Sequence, residues 1–286
     1  MGLKIETWNI AYRKKTKNTF RDTNAPFEVI PNGHKGWYAD PFLFDYKGET
    51  YLFAEYFSYK LGRGVISVSK YNPEIDSFGS FSEIIREDYH LSYPVVFSYN
   101  NHIYMMPECG ESRGLFFYKA VDFPNKWEKI SVIDKKMRLA DTTPFQLGND
   151  LFAFSLKIED DSAAGELILM KFDRSYFQTI KTLTKDMSLA RPGGNVMICE
   201  KTMIRVAQNC EKEYGRELSF ISVNNLDSDY QEETVARLTP DSIILKNNKP
   251  PVGIHTYNNS DLFEVVDIKY YRNSWYRLFL KLLHKG

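Results

Sequence analysis

Two aspartates occupy matching settings in distant parts of the chain, Asp40 in "WYADPFLF" and Asp141 in "LADTTPF", each a lone carboxylate inside an apolar run. Asp before Pro is an ordinary turn starter, and Pro41 biases Asp40 toward extended backbone. Further polar groups stand at comparable places: Glu55 ends "YLFAE", Tyr93 lies in "SYPVVF" and Glu108 ends "YMMPE". Arg191 opens "RPGGNV", Gln208 ends "RVAQ", and His255 lies in "GIHTY". Singly, each has a plain explanation: Arg191 pairs with Asp141 or Glu108, His255 is a satisfied turn histidine, and Glu55 caps a hairpin. Together they are a set with chemistry. Several carboxylates held at one place disfavour one another's ionisation. One that stays charged beside one kept protonated is the arrangement that works on a glycosidic bond. Trp37 and Tyr38, just ahead of Asp40, are side chains on which a sugar ring stacks.

The elements that must position this set are short apolar runs separated by Gly, Asn, Asp and Lys clusters, a pattern that predicts an all-β chain. One unit recurs: a marked entry, an apolar strand, a polar turn, and a second apolar strand whose end turns polar. Its copies are "ADPFLFDYKGETYLFAEY", "SYPVVFSYNNHIYMMPEC", "ADTTPFQLGNDLFAFSLK", "ARPGGNVMICEKTMIRVAQNC" and "VGIHTYNNSDLFEVVDIKYY". The entries lie roughly 50 to 60 residues apart, and most copies continue into a third strand such as "GRGVISVSKYN", so five copies predict a five-bladed β-propeller. The blades should start near Asp40, Tyr93, Asp141, Arg191 and Val252. The fifth copy runs short while "LKIETWNIAYR" is left over at the start, so the N-terminal strand around Ile5 to Tyr12 is expected to close the ring. A two-sheet sandwich is the competing architecture, but it needs no internal repeat. In a propeller the entries and the ends of the second strands open onto one face, so all these groups, with Asp267, converge on one funnel. The carboxylates of Asp40, Glu108 and Asp141 are expected within about 10 Å of a common point, with Arg191 neutralising part of their charge.

Charge and composition narrow the partners. Lys plus Arg equals Asp plus Glu at 37 each, so no global field favours nucleic acid. Aromatic residues make up 15% of the chain, an amount that suits strands and sugar clefts. Cys109, Cys199 and Cys210 have neither disulfide nor zinc spacing, and "MGLKIETWNIAYRKK" lacks a signal-like apolar run; the expectation is a reduced, cytoplasmic setting. No residue spacing calls for a metal or another cofactor. The tail over residues 274–286 repeats Trp275, Leu278, Phe279, Leu282 and Leu283 at helical intervals among Arg277, Lys281, His284 and Lys285. It is expected to be an amphipathic helix after a propeller over residues 1–273, either capping the disc or lying on the inner face of a membrane.

Asp40 and Asp141 in their motifs resemble the first- and third-blade aspartates of the five-bladed propellers of family 43 arabinanases and xylosidases. "WYADPFLF", "YLFAEY", "SYPVVF", "IYMMPE", "FPNKWEK", "ADTTPF" and "RVAQNCEKEYG" are similar, in order and spacing, to the N-terminal propeller domain of the glucosamine inositolphosphorylceramide transferase family and its bacterial stand-alone relatives. The first resemblance implies Asp40 as general base and Asp141 as the group that tunes the acid. The fourth-blade acid of those enzymes has no counterpart, since Arg191 and Gln208 stand in its place, which leaves Glu108 as the candidate acid. Substrate contacts then fall to Trp37, Tyr38, Glu55, Tyr93, Arg191, Gln208 and His255. The second resemblance implies work in surface-polysaccharide or glycolipid biosynthesis, with sugar transfer expected in a separate glycosyltransferase domain. Three functions follow: a carbohydrate-active enzyme, a non-catalytic glycan-binding or scaffolding propeller, and a peripheral membrane component.

Overall fold

The computed structural model describes residues 3–109, 114–131, 137–158, 164–199, 201–211, 213–226, 229–246 and 249–274. The chain opens with β1 (Leu3–Lys14) and β2 (Glu28–Ile30), then lays down four sheets in succession. The first holds β3 (Gly36–Tyr46), β4 (Glu49–Ser58) and β5 (Arg63–Asn72), edged by β6 (Ser77–Phe78) and β7 (Ser82–Ile85). The second holds β8 (Ser92–Tyr99), β9 (His102–Glu108), β10 (Phe116–Asp122) and β11 (Lys126–Ser131). The third holds β12 (Leu139–Leu147), β13 (Asp150–Ile158), β14 (Gly165–Asp173) and β15 (Tyr176–Thr184). In the fourth, β16 (Arg191–Pro192) and β17 (Met197–Cys199) pair with β18 (Thr202–Gln208), followed by β19 (Leu218–Asn224) and β20 (Gln231–Leu238).

The fifth sheet joins the two ends of the chain in the order β2-β1-β22-β21, with β21 (Tyr257–Asn259) innermost and β22 (Phe263–Ser274) next to it. β1 and β22 pair along their full length, from Leu3 opposite Ser274 to Lys14 opposite Phe263. The protein is therefore a five-bladed β-propeller closed by its N-terminus, as the leftover strand predicts, although the N-terminus supplies two strands of the last blade rather than one. Ser274 is the last residue of β22, and the expected helical tail lies, from Trp275 on, outside the described residues. Among the described residues no helix is long and apolar enough to cross a membrane.

Apolar side chains from neighbouring sheets fill the wedges between blades. Ile10, Leu43, Leu52 and Phe263 lie between the fifth and first, and Phe42, Phe53, Tyr93 and Met105 between the first and second. The chain closure carries a charge pair inside this packing. Arg13 Nε is 2.9 Å from Glu264 Oε2, and three further guanidinium hydrogens go to the carbonyls of Thr19, Asp22 and Ala25.

One backbone device repeats. Asp40, Tyr93 and Asp141 all have left-handed φ, +49°, +48° and +49°, at a break in the ladder between the first and second strands of their blades. Such a bulge in a non-glycine residue costs on the order of 1 kcal/mol or more and re-aims one side chain and one N–H. The three blades whose entries share the motif thus share one strained turn at the inner end of the disc.

A candidate ligand funnel with an ion-paired floor

The bulged turns explain where the carboxylates go. The N–H of Asp40 donates to Asp267 Oδ2 at 3.1 Å, that of Tyr93 to Asp40 Oδ2 at 3.0 Å, and that of Asp141 to Glu108 Oε2 at 2.9 Å. Each blade of this series offers its strained N–H to a carboxylate of the blade before it, so the carboxylates clasp the ring together. Clustered acids are costly in isolation, but a carboxylate that accepts buried N–H groups is stabilised as the anion. Asp40, Asp141 and Asp267 are accordingly 4%, 3% and 0% exposed.

Asp40 belongs to an ion triad with His255 and Asp267. His255 Nε2 lies 3.0 Å from Asp40 Oδ1, and His255 Nδ1 lies 2.6 Å from Asp267 Oδ2, an ion-pair contact without hydrogen-bond alignment. The Thr256 hydroxyl donates to Asp40 Oδ1, and the N–H groups of His255 and Thr256 donate to Asp267 Oδ1. Burial works against a charged His255, but the two aspartates outweigh it and push its pKa up to about 10. Burial would also raise Asp40; His255, Thr256 and the Tyr93 N–H reverse that and hold it below the usual carboxylate range. The three ligand atoms lie within 4.8 Å of one another, so a divalent cation could compete for the same place, but only by displacing the imidazolium proton. The donor set reads as a completed triad rather than an open metal centre.

The second cluster is built round Arg191. Its Nε is 2.6 Å from Asp141 Oδ2 and its Nη2 is 4.0 Å from Glu108 Oε2. Gln208 Nε2 donates to Asp141 Oδ2 at 2.6 Å and to the Pro192 carbonyl. Glu108 does point into the funnel, with 20% of its side chain exposed, and burial followed by the charge of Asp141 holds its pKa well above the usual range. Glu55, 6% exposed, is raised in the same sense by burial, then by Asp40, with Glu108 and Asp267 adding and His255 opposing. The floor thus sets Asp40, Asp141 and Asp267 against His255 and Arg191, with Glu55 and Glu108, both raised in pKa, beside them.

Several sequence-predicted contacts take other roles. Tyr93 is wholly buried: its hydroxyl is 2.9 Å from Thr143 Oγ1 and accepts the Gly194 N–H at 2.7 Å, bolting blades two, three and four. The bulge turns this side chain into the wedge, so Tyr93 is structural. Tyr93→Phe should cost about 1–3 kcal/mol through the orphaned Gly194 N–H, read by urea denaturation, and leave ligand recognition intact. Tyr38 packs on Tyr56 and Phe81 between blades, where burial pushes its pKa to about 12, and does not line the funnel. Gln208 is fully buried, so it acts through Asp141. Gly193 and Gly194 are close-packing residues: a Cβ on Gly194 would sit 1.9 Å from the Tyr257 carbonyl oxygen. Trp37 is half-buried and stacked on Phe57 at 4.8 Å.

Two aromatic residues of the site escape a reading of entry motifs. Tyr214, 40% exposed, meets His255 edge-on at 5.0 Å and lies 5.0 Å from the Arg191 guanidinium, while buried Trp8 lies 4.1 Å from the His255 ring. The Nζ of Lys269, 1% exposed, donates to the Tyr214 carbonyl and fixes that loop. The signal for Tyr214 was the polar turn "EKEYG" after the fourth copy; Trp8 carries none, because it reaches the site only through chain closure.

Solved structures share this five-bladed fold. The catalytic domain of an α-L-arabinofuranosidase of Coprinopsis cinerea superposes with a TM-score of 0.60 at 11% identity, covering 91% of this chain and 97% of that one. A thermostable family-43 glycoside hydrolase superposes at 0.57 and 12% identity, covering 84% and 91%. These likenesses are of fold. Residues 28–250 match the family model for glucosamine inositolphosphorylceramide transferase 1, N-terminal, and the chain belongs to that family. Glucosamine inositolphosphorylceramide transferase 1 of Arabidopsis thaliana is 31% identical over 209 residues, 68% of this chain and 26% of that protein; the Oryza sativa subsp. indica protein is 30% identical over 208 residues, 70% and 28%. The chain spans about a quarter of the length of these relatives.

Proposed function

We propose that this propeller recognises a glycan or glycolipid headgroup in glycolipid or surface-polysaccharide biosynthesis, working beside a glycosyltransferase on the cytoplasmic side. The observation that carries the reading is the state of Asp40. Both its oxygens are engaged by neighbouring blades and an imidazolium lowers its basicity, which suits a rigid floor better than a proton-abstracting group. Trp37 and Tyr214 supply apolar surface, and Glu108 and Arg191 supply partly exposed polar groups. The names of the full-length relatives support a glycolipid context, and the absence of a disulfide among the three cysteines fits a reducing compartment.

A second reading, inverting glycosidic-bond chemistry with Asp40 as base, Glu108 as acid and Asp141 as modulator, is favoured by one feature. An aspartate held below the usual carboxylate range faces the same funnel as a glutamic acid held above it. Complementation of a strain lacking the gene, scored by the surface glycan made, separates the two. Trp37→Ala and Tyr214→Ala should reduce the glycan, whereas Glu108→Gln, which keeps size and the acceptor for the Asp141 N–H, should restore it fully. A fall on the order of 100-fold with Glu108→Gln would establish the catalytic reading instead.

A further inference from the structure

We propose that Glu55 is a proton-bearing hydrogen-bond donor of the funnel, its acid hydrogen held on Oε2 and presented to an oxygen of the bound ligand, with His90 setting which oxygen carries it. The inference rests on the funnel being a glycan site and goes beyond it by naming the group that reads the ligand and the polarity of the contact.

Glu55 differs from the other floor carboxyls. Asp40, Asp141, Asp267 and Glu108 each accept a hydrogen bond from another blade or an adjacent loop. Glu55 ends β4 opposite Ala39, next to the Asp40 bulge, and its Oε1 is buried with no aligned hydrogen-bond partner. A buried carboxyl without a partner is expensive unless it is neutral or meets a ligand. Its seat is built for it. A Cβ at Gly64 would lie 2.7 Å from Glu55 Oε1 and 2.3 Å from the Leu91 carbonyl, so only glycine leaves room for the carboxyl at this depth.

His90 then decides the geometry. The Gly64 N–H donates to His90 Nδ1 at 3.0 Å, which makes Nδ1 an acceptor and puts the ring proton on Nε2. Nε2 faces Glu55 Oε1 at 3.3 Å. Although the two are not aligned as a hydrogen bond, the oxygen that faces this N–H is the better placed to be the carbonyl of the acid, which leaves the acid hydrogen to Oε2. The titratable groups facing Glu55 are Asp40, Glu108 and Asp267, which favour that hydrogen, and His255, which opposes it. A neutral acid here selects ligand oxygens, hydroxyl, ether or phosphoryl, where an ionised carboxylate would select hydroxyl or ammonium donors.

Infrared difference spectra of the full chain in D2O test the protonation. At pH 7 the wild type should show protonated-carboxyl absorption with one component that Glu55→Gln removes and that persists in Glu108→Gln, and His90→Phe should move that component without abolishing it. A spectrum in which Glu55→Gln removes nothing overturns the proposal. Binding of glucose, glucosamine and myo-inositol, followed by ligand-observed NMR, tests the donor role. Glu55→Gln, whose amide still donates, should bind within about threefold of wild type, and Glu55→Leu should lose about tenfold or more. Equal losses in the two variants would show an accepting carboxylate and overturn the inference while leaving the glycan site standing. Failure of all three probes to bind the wild type would instead reject the glycan site and the donor role together, with the infrared result still deciding the proton.

Discussion

His255→Ala is expected to destabilise the propeller by about 3–5 kcal/mol, because it leaves Asp40 and Asp267 buried against each other without their shared cation. The loss should depend on pH in a definite direction. His255 is raised from 6.5 to about 10 in the fold, so its contribution is complete below pH 6.5 and disappears as pH rises through about 10. The raised carboxyls of Glu55 and Glu108 act in the same sense, contributing below their ordinary range and losing that contribution as pH rises. Asp40 acts oppositely: its lowered pKa contributes above pH 3.8 and is lost as pH falls through the folded value. Urea denaturation should therefore show a wild type weaker at pH 10 than at pH 6, and a gap between wild type and His255→Ala that narrows over that interval. A gap as wide at pH 10 as at pH 6 would rule out the imidazolium as its source.

Arg13→Ala should cost a comparable 3–5 kcal/mol, since Glu264 is wholly buried and Arg13 nearly so, and three loop carbonyls lose their donor as well. The effect should be local to the closure. Hydrogen exchange of the β1 and β22 amides should rise as one unit, while the blade-three amides of β13 and β14 keep the protection set by global stability. Glu264 also accepts the Tyr257 hydroxyl, so Glu264→Ala should weaken the innermost strand of that blade too. The double variant Arg13→Met, Glu264→Met, which removes both charges and keeps volume, should recover most of the stability lost in Arg13→Ala.

Much of the architecture was legible because it is written in local pattern. The hairpin unit, its five-fold recurrence and the spare strand before the first copy are properties of consecutive residues, and the ring that buries every sheet edge but the outermost follows from them. The pairing of Arg191 with Asp141 was also within reach, as an acid and a base at equivalent entries of adjacent blades meet at one pole.

The roles of the individual side chains were not legible in that way. A strand's alternation assigns each residue to a face, but a left-handed bulge at Asp40, Tyr93 and Asp141 shifts that assignment by one, sending Tyr93 into a wedge. The carboxylates of the motifs also clasp the ring, because they accept N–H groups of other blades, as with Asp40 and Asp267, 227 residues apart, and no list of motifs shows this. Residue types and spacing determined by themselves that this chain is a five-bladed propeller whose polar groups collect at one pole. Only the tertiary structure decided which of those groups are consumed in holding the ring and which, like the Oε1 of Glu55, are left without a hydrogen-bond partner, since hydrogen-bond satisfaction depends on neighbours that only closure of the ring supplies.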